Sequence, residues 1–347
     1  MIKSFLISTG ILFLPSLHAQ VTTTKGLQTI TKDAIEAHVA FLASDVLEGR
    51  EAGKRGNLIA AEYLKSELKE TGIKPLYNDY FQRTEAYSRE KQKKTSFQVN
   101  IDSVRKYKAD GVYRKLRLQN VLGFIEGQKK DEYIVIGAHY DHLGIDELLF
   151  GDQIYNGADD NASSVAVVLQ VAKAYAESGE IPLRSIIFAF WDGEESGYLG
   201  SEYFVSTFHD LQAIKGYINL DMVGRDGTFP SFGKKQSENA QNEQTDNSKK
   251  VFFLYSEQLA ANNDLLNEDI KTHQLDLIPG SRVLSAKAKG SDNTSFADQG
   301  IPVLWFFTGI HSDYHQPSDE ADKINYEKMV NIATVTYLTL HNLANKN

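Results

Sequence analysis

Four apolar, strand-like segments of this chain each end just before side chains that can bind a metal ion. The segments are YIVIGA, SIIFAF, GYIN and IPVLWFF, and the polar groups after them contain His139, Glu194, Glu195, Asp221 and His315. A fifth polar group, Asp159-Asp160-Asn161, precedes a long helical pattern. In an open α/β sheet, ligands bind where strands end at the carboxyl edge. Mixed nitrogen and oxygen donors suit borderline divalent ions such as zinc, so the pattern predicts a metal-dependent hydrolase.

Strand and helix patterns alternate through most of the chain. The predicted strands are 133–138, 184–190, 216–220, 251–255 and 302–307, and the predicted helices are 161–177, 200–208, 257–270 and 325–344. This alternation predicts the α/β class, with a mostly parallel, mixed central sheet covered by helices on both faces. Two further helices, 30–47 and 57–72, precede this core, and the region 94–126 is predicted to form strands.

The N-terminus has the layout of a secretory signal peptide. Residues 1–19 combine a lysine near the start, a short apolar stretch and a small residue, Ala19, after which cleavage is expected. An uncleaved anchor is the alternative, although the stretch is short for a membrane span. We therefore expect an exported protein, periplasmic or secreted, with one catalytic domain over 20–347. A polar surface insertion without periodicity is expected at about 226–250.

Composition narrows the chemistry and the partners. The chain has no cysteine, which excludes disulfides, a thiol nucleophile and thiolate zinc ligands. The formal net charge is −9, without basic stripes, which argues against nucleic acid or anionic lipid as a partner. No later segment approaches membrane-spanning length, so no membrane contact is expected after signal cleavage.

His139 and Asp141 stand two residues apart at the end of an apolar strand, so both side chains should point to the same side. A metal-ligating histidine usually donates its other ring N–H to a carboxylate or carbonyl. His139 is therefore a candidate ligand and Asp141 its orienting partner. A histidine in a polar loop without metal is the alternative. The Asp159-Asp160-Asn161 run could likewise be a plain helix N-cap, or a turn that holds a carboxylate between two metals.

The adjacent acids Glu194 and Glu195 offer two different roles at a strand end, one as a metal ligand and one as a proton carrier. A solvated acidic turn is the alternative. Asp221 lies among apolar residues, where a carboxylate is costly unless it is paired or bound to metal. After the last strand, His311 and His315 compete for the ligand role, and Asp319 is expected to orient the one that binds.

Five motifs resemble, in order, those of the co-catalytic zinc exopeptidases, which include bacterial leucyl aminopeptidases, glutamate carboxypeptidase II and glutaminyl cyclases. The motifs are HYDHLG, GADDNASS, FWDGEESGYLGS, INLDMVGR and YHQPSD, and the resemblance extends over roughly residues 30 to 345. It implies a zinc exopeptidase fold, of the phosphorylase/hydrolase-like type.

The resemblance also implies roles for single residues. His139 and Asp221 would bind one zinc, Glu195 and His315 the other, and Asp160 would bridge them through a turn with a cis bond to Asn161. Glu194 would be the general base that activates a zinc-bound water, and Tyr314 would help to stabilise the oxyanion.

The segment GSDNTSF departs from the family pattern, because Asn293 stands where many relatives carry histidine. Asp292 and Asn293 are expected to line the substrate pocket, whose specificity therefore cannot be transferred from relatives.

The function expected from these observations is an exported aminopeptidase that uses two Zn²⁺ ions to release N-terminal residues from peptides. A glutaminyl-peptide cyclotransferase with a single Zn²⁺ and a carboxypeptidase of the same fold are the alternatives. A non-catalytic binding protein is a further alternative, although such relatives lose metal ligands that are intact here. The sequence does not indicate an oligomeric state.

Overall fold

Nine strands of the chain form one mixed sheet. The computed structural model describes residues 25–89, 97–111, 113–228, 246–284 and 290–346. The strands in these ranges are β1 (Lys74–Pro75), β2 (Phe81–Ser88), β3 (Arg114–Ile125), β4 (Lys129–His139), β5 (Gly144–Ile145), β6 (Ile154–Tyr155), β7 (Arg184–Trp191), β8 (Ile214–Leu220), β9 (Lys250–Tyr255), β10 (Ile278–Val283) and β11 (Val303–Phe307). The large sheet has the order β1-β3-β7-β4-β8-β11-β9-β10, with β2 on β3, while β5 and β6 form a separate hairpin.

The helices cover this sheet. They are α1 (Lys32–Leu42), α2 (Arg55–Glu70), α3 (Ile101–Asp110), α4 (Ser164–Ser178), α5 (Leu199–Thr207), α6 (Ala260–Thr272), α7 (Asn293–Ala297) and α8 (Tyr326–Asn345). Along β4, Ile134 and Ile136 pack into the core that contains α4 and α8, whereas Val135 packs into a second core with Phe204 of α5 and Phe296 of α7. Because successive strand residues point to opposite faces, helices lie on both faces of the sheet.

The four central strands β7, β4, β8 and β11 run parallel to one another. Apart from the first five residues of β4, their side chains are mostly buried, as expected for parallel strands covered on both sides. Antiparallel strands flank them, β3 against β7 on one side and β9 against β11 on the other. The predicted α/β class with a mixed, helix-covered sheet is confirmed, and the carboxyl ends of the four central strands meet at one edge.

Residues 101–110 correct one prediction, because they form helix α3 where strands were expected. The Asn100 side chain accepts hydrogen bonds from the backbone N–H groups of Asp102 and Ser103, and Gly111 ends the helix in the left-handed conformation. These two caps define a helix although α3 buries none of its residues. The strands β2 and β10 were not predicted from the sequence.

Two sequence predictions fall largely outside the described residues. The signal peptide over 1–19 does so entirely, and of the insertion at 226–250 the structure describes only the two ends, 226–228 and 246–250. Among the residues that the structure describes, no helix combines the length and apolarity needed to cross a bilayer.

Helix α1 contains a buried titratable residue, His38, which contacts Tyr63 and Gln170. It is buried, with Nδ1 2.7 Å from the hydroxyl of Tyr63 and Nε2 3.2 Å from the side-chain nitrogen of Gln170. Burial, with a smaller contribution from the charge of Lys173, lowers the pKa of His38 to about 4. Neutral His38 is therefore the form compatible with the packed helices.

We expect His38 to make the fold less stable as the pH falls from about 6.5 to about 4. In this window the unfolded chain protonates His38 and the folded chain does not, so up to about 3 kcal/mol of unfolding free energy is lost. His38→Gln, which does not titrate, should flatten the pH dependence of urea unfolding in this range. His273→Gln, at an exposed histidine, is the matched control, and equal profiles for the two variants would contradict the assignment.

Candidate metal centre

The carboxyl ends of the four central strands bring the predicted metal ligands together. His139 is the last residue of β4, and Asp221 directly follows β8. Glu194 and Glu195 lie in the turn after β7, and His315 lies in the loop after β11. Parallel strands present these ends at a common edge, which is why residues from distant parts of the sequence meet.

The first candidate metal position is formed by His139, Asp160 and Asp221, all buried. His139 Nε2 lies 3.2 Å from Asp160 Oδ1 and 3.7 Å from Asp221 Oδ1. The other ring nitrogen, Nδ1, is 3.1 Å from the backbone carbonyl oxygen of Asp141. With Nδ1–H donated to this carbonyl, Nε2 is free to bind a metal ion.

The second candidate position uses the other oxygen of Asp160. Asp160 Oδ2 lies 3.1 Å from His315 Nε2, and His315 Nε2 lies 3.5 Å from Glu195 Oε1. The two oxygens of Asp160 thus face two different histidines. This arrangement is the one expected of a carboxylate that bridges two metal ions.

The donor spacing and charge fit divalent metal ions. Two donors that each lie about 2.1 Å from a tetrahedral zinc ion are about 3.4 Å apart. The four distances above, between 3.1 and 3.7 Å, agree with this value. Carboxylates packed together away from water are costly, by several kcal/mol per ion, unless cations accompany them. Imidazole and carboxylate donors without thiolate are compatible with zinc and related ions.

Asp160 is held by its own turn. The turn begins at Gly157, which has a φ of +56°, and the peptide bond between Asp160 and Asn161 is cis, as the resemblance implied. The Asp319 carboxylate accepts hydrogen bonds from the backbone N–H groups of Asp159 and Asp160 at 3.0 to 3.1 Å. The expectation that Asp319 orients the ligand histidine is therefore corrected: it fixes the backbone of the bridging residue.

Asp141 also acts mainly on backbone groups. Its carboxylate accepts hydrogen bonds from the N–H groups of Glu194 at 3.0 Å and Glu195 at 3.3 Å, and lies 3.8 Å from His139 Nδ1. The carbonyl of Asp141, rather than its carboxylate, is the hydrogen-bond partner of His139. The predicted pairing of His139 with Asp141 thus holds, while the carboxylate positions the two glutamates.

Distances in the structure bear on two alternatives that the sequence left open, His311 or His315 as the ligand and an N-cap role for the Asp159 run. His311 Nε2 lies 3.2 Å from Asp159 Oδ2, and His315 is the histidine beside Asp160. Asp159 Oδ1 accepts a hydrogen bond from the N–H of Gly224 at 2.6 Å, so this residue ties the turn to the segment after β8 and is not an N-cap of α4.

The carboxyl groups of the site have opposite protonation tendencies. Burial raises the pKa of Glu194 well above its usual range, with further contributions from Glu195 and Asp221 that His139 opposes. Burial acts in the same sense on Asp160, but hydrogen bonds from His139 and His315 outweigh it and hold the pKa of that carboxyl well below its usual range. Such a separation is typical of sites in which one carboxyl carries a proton while its neighbour stays ionised.

Tyr314 lies against the second position, with its ring stacked on His315 at 3.8 Å between centroids. Burial and the nearby carboxylates, Asp160 first among them, raise the pKa of the Tyr314 phenol. The hydroxyl therefore remains protonated at neutral pH and can donate a hydrogen bond.

Asp292 and Asn293, expected to line the substrate pocket, are both fully buried at the start of α7. Burial raises the pKa of Asp292 to about 7, against an opposing effect of His139. Their contribution to a pocket stays a prediction.

Two residues of the centre had no role predicted from the sequence. Arg50 is 1% exposed and donates hydrogen bonds to the carbonyl oxygens of Leu42, Tyr140, Asn156 and Gly157. His142 is buried beside Glu195. Its place next to Asp141 in the His139 motif was an available signal, whereas Arg50 carried none.

Known proteins resemble this chain in sequence and in fold. The sequence model described as peptidase family M28 matches residues 120–340. A glutamate carboxypeptidase 2 homolog from Caenorhabditis briggsae is 36% identical over 114 residues, which are 31% of this chain and 13% of the relative. The matched segments span only 13 to 34% of the first three curated relatives.

Two solved structures show the same fold at low sequence identity. The LapA aminopeptidase of Legionella pneumophila has a TM-score of 0.66 and 19% identity, with 98% of this chain and 78% of that chain covered. A glutaminyl cyclase of Porphyromonas gingivalis has a TM-score of 0.62 and 16% identity, with coverages of 89% and 97%. The predicted resemblance to the exopeptidase fold is confirmed.

We expect Gly157→Ala to damage both stability and metal binding. A Cβ at Gly157 would lie 2.1 Å from the Asp160 carbonyl oxygen and 2.5 Å from the His142 ring. The left-handed backbone alone costs a non-glycine residue about 1 kcal/mol, and the collision should bring the loss above about 2 kcal/mol. Urea unfolding and metal content would measure the two effects.

Gly179→Ala is the matched control, since Gly179 has a φ of +70° and an added Cβ would meet nothing within 4 Å. Equal losses of stability in the two variants, with metal content unchanged, would contradict the role given to Gly157.

Proposed function

The chain belongs to peptidase family M28, and on that premise we propose that it is an exported aminopeptidase that binds two zinc ions and removes N-terminal residues from peptides. The observation that carries the metal chemistry is the bridging geometry of Asp160, whose two oxygens face His139 and His315. The signal-like residues 1–19 support export, and we propose a single catalytic domain over 20–347.

The basic side chains near the site bear on which end of a peptide it binds. Two Zn²⁺ ions would balance the four carboxylates Asp160, Glu194, Glu195 and Asp221, so recognition of a substrate C-terminus would require a free basic side chain. The guanidinium of Arg50 is fully buried against backbone carbonyls, and Arg225 is paired with Asp313 at 2.8 Å. Neither is free to bind a substrate C-terminus, so the described charges favour an aminopeptidase over a carboxypeptidase.

Glu194 is the candidate general base. Its carboxylate lies 4.0 Å from His139 Nε2, next to the first position, and its raised pKa suits a group that must hold a proton once it has accepted one. Bound zinc would lower the pKa of water and polarise the scissile carbonyl. Glu194 can take a proton from the attacking water and pass it to the leaving amine, the two steps that peptide hydrolysis requires.

Tyr314 supplies the complementary donor. Its protonated hydroxyl, beside His315, can donate a hydrogen bond to the oxygen that becomes negatively charged as the carbonyl is attacked. Asp141 and Asp319 keep Glu194 and Asp160 in place through backbone hydrogen bonds. The proposal thus assigns a base, an oxyanion donor and two metal positions to residues at one edge of the sheet.

We expect Glu194→Gln to lower kcat for peptide hydrolysis by about 10²- to 10⁴-fold, the range typical of general acid–base catalysis. The metal content should not change, because Glu194 is outside both ligand sets. Glu177→Gln, at an exposed glutamate of α4, is the matched control. Turnover of Glu194→Gln at the rate of the control would exclude Glu194 as the base.

The reaction itself can be tested with a library of peptides that have free, acetylated or amidated ends, analysed by mass spectrometry. The aminopeptidase proposal predicts stepwise loss of residues from free N-termini only. Trimming from the C-terminus would instead establish a carboxypeptidase. Loss of ammonia from N-terminal glutamine alone would establish a glutaminyl cyclase, and an unchanged library in the presence of bound zinc would favour a binding protein.

A further inference from the structure

His142 is a histidine of the centre that the two proposed ligand sets do not include, although one of its ring nitrogens lies within 4.8 Å of carboxylate oxygens of Asp160 and Glu195. Its side chain is fully buried, and Nδ1 lies 2.8 Å from Glu195 Oε1 in hydrogen-bonding geometry. Glu195 Oε1 is the same oxygen that lies 3.5 Å from His315 Nε2. The contact of His142 is therefore made to the oxygen that faces the second metal position.

The backbone and the ring of His142 are both held in place. Its N–H donates a hydrogen bond to the carbonyl oxygen of Arg50 at 3.2 Å. Its ring packs so closely on Gly157 that an added Cβ there would lie 2.5 Å from the ring carbon Cδ2. The ring also meets His315 edge-on, at 5.8 Å between centroids. A side chain fixed on these sides can impose its orientation on the carboxylate that it contacts.

Nδ1 of His142 faces Glu195, so it is the ring nitrogen through which His142 could bind a metal ion at the second position. A ligating histidine almost always donates its other ring N–H to an acceptor, as His139 does to the Asp141 carbonyl oxygen at 3.1 Å. Nε2 of His142 is buried and has no hydrogen-bond partner within the described part of the chain, so the acceptor that ligation through Nδ1 would require is missing. The contact with Glu195 is therefore assigned to a hydrogen bond donated by Nδ1–H.

We propose that His142 is a positioning residue that holds the Glu195 carboxylate for the second metal position through its Nδ1–H. The inference rests on the two-metal centre of the proposed function and adds a residue to it. His142 contacts the side chain of Glu195, and Asp141 accepts a hydrogen bond from the backbone N–H of Glu195. Together these two contacts restrict the orientation of the Glu195 carboxylate at the second metal position. The first position, formed by His139, Asp160 and Asp221, does not include His142, whose ring nitrogen lies near Asp160 and Glu195.

The test compares zinc affinities of the two positions in the purified protein, measured by competition with a chelator. His142→Ala should weaken the more weakly bound zinc by about 10- to 100-fold, the usual effect of losing an orienting partner, and leave the other zinc unchanged. His142→Asn should recover most of the lost affinity, because its amide nitrogen can donate from nearly the place of Nδ1. His273→Ala, at an exposed histidine, is the control.

The asparagine variant separates positioning from direct ligation, since asparagine is a poor zinc ligand but a good hydrogen-bond donor. Equal losses in His142→Asn and His142→Ala would make His142 a ligand and overturn the proposal. Unchanged affinities in His142→Ala would overturn it as well. A native protein that binds no second zinc would contradict the two-metal function itself, an outcome visible before any variant is made.

Discussion

The proposed metal centre depends on one constraint, the clustering of buried carboxylates and histidines at a single edge of the sheet. Asp160, Asp221 and Glu195 converge with His139 and His315 at a sheet edge that is largely shielded from water. Such a cluster is unfavourable by itself, because desolvated like charges repel each other. Two divalent ions bound by these donors would offset the repulsion between the carboxylates and would stabilise the arrangement of the ligand side chains.

The rest of the fold serves to keep these donors at fixed distances. The central parallel strands bring the ligand-bearing segments to one edge, and buried polar groups then fix the backbone between them. Asp319 holds the turn of Asp160, Asp141 holds the turn of the two glutamates, and Arg50 ties four carbonyl groups of three segments together. These contacts are made largely to the main chain, so they set loop positions independently of which metal is bound. Precise placement of ligands by such outer contacts is a general requirement of metal sites.

The sequence could predict the elements that follow from local pattern. Apolar runs identified the parallel strands, and the polar residues after them placed His139, Glu195, Asp221 and the pair His311 and His315 at one edge, because strand ends of a parallel sheet share one edge. The role of Asp160, which precedes a helix, and the choice of His315 over His311 came from the family resemblance. Arg50 was missed because its partner at Tyr140 is 90 residues away in the chain. Asp319 was given a different role for the same reason, since its contact with Asp160 spans 159 residues. Helix α3 was missed because it is set by its caps and not by a buried face.

The proposed metal centre consists of two metal positions that share Asp160. The metal content of the purified protein, measured by elemental analysis after dialysis, tests this dependence, with Asp160→Asn measured beside it. Two zinc ions per chain in the native protein, both lost in the variant, are the predicted result. A native protein without tightly bound metal, or a variant that retains both ions, would contradict the bridging role of Asp160 and the proposed centre with it.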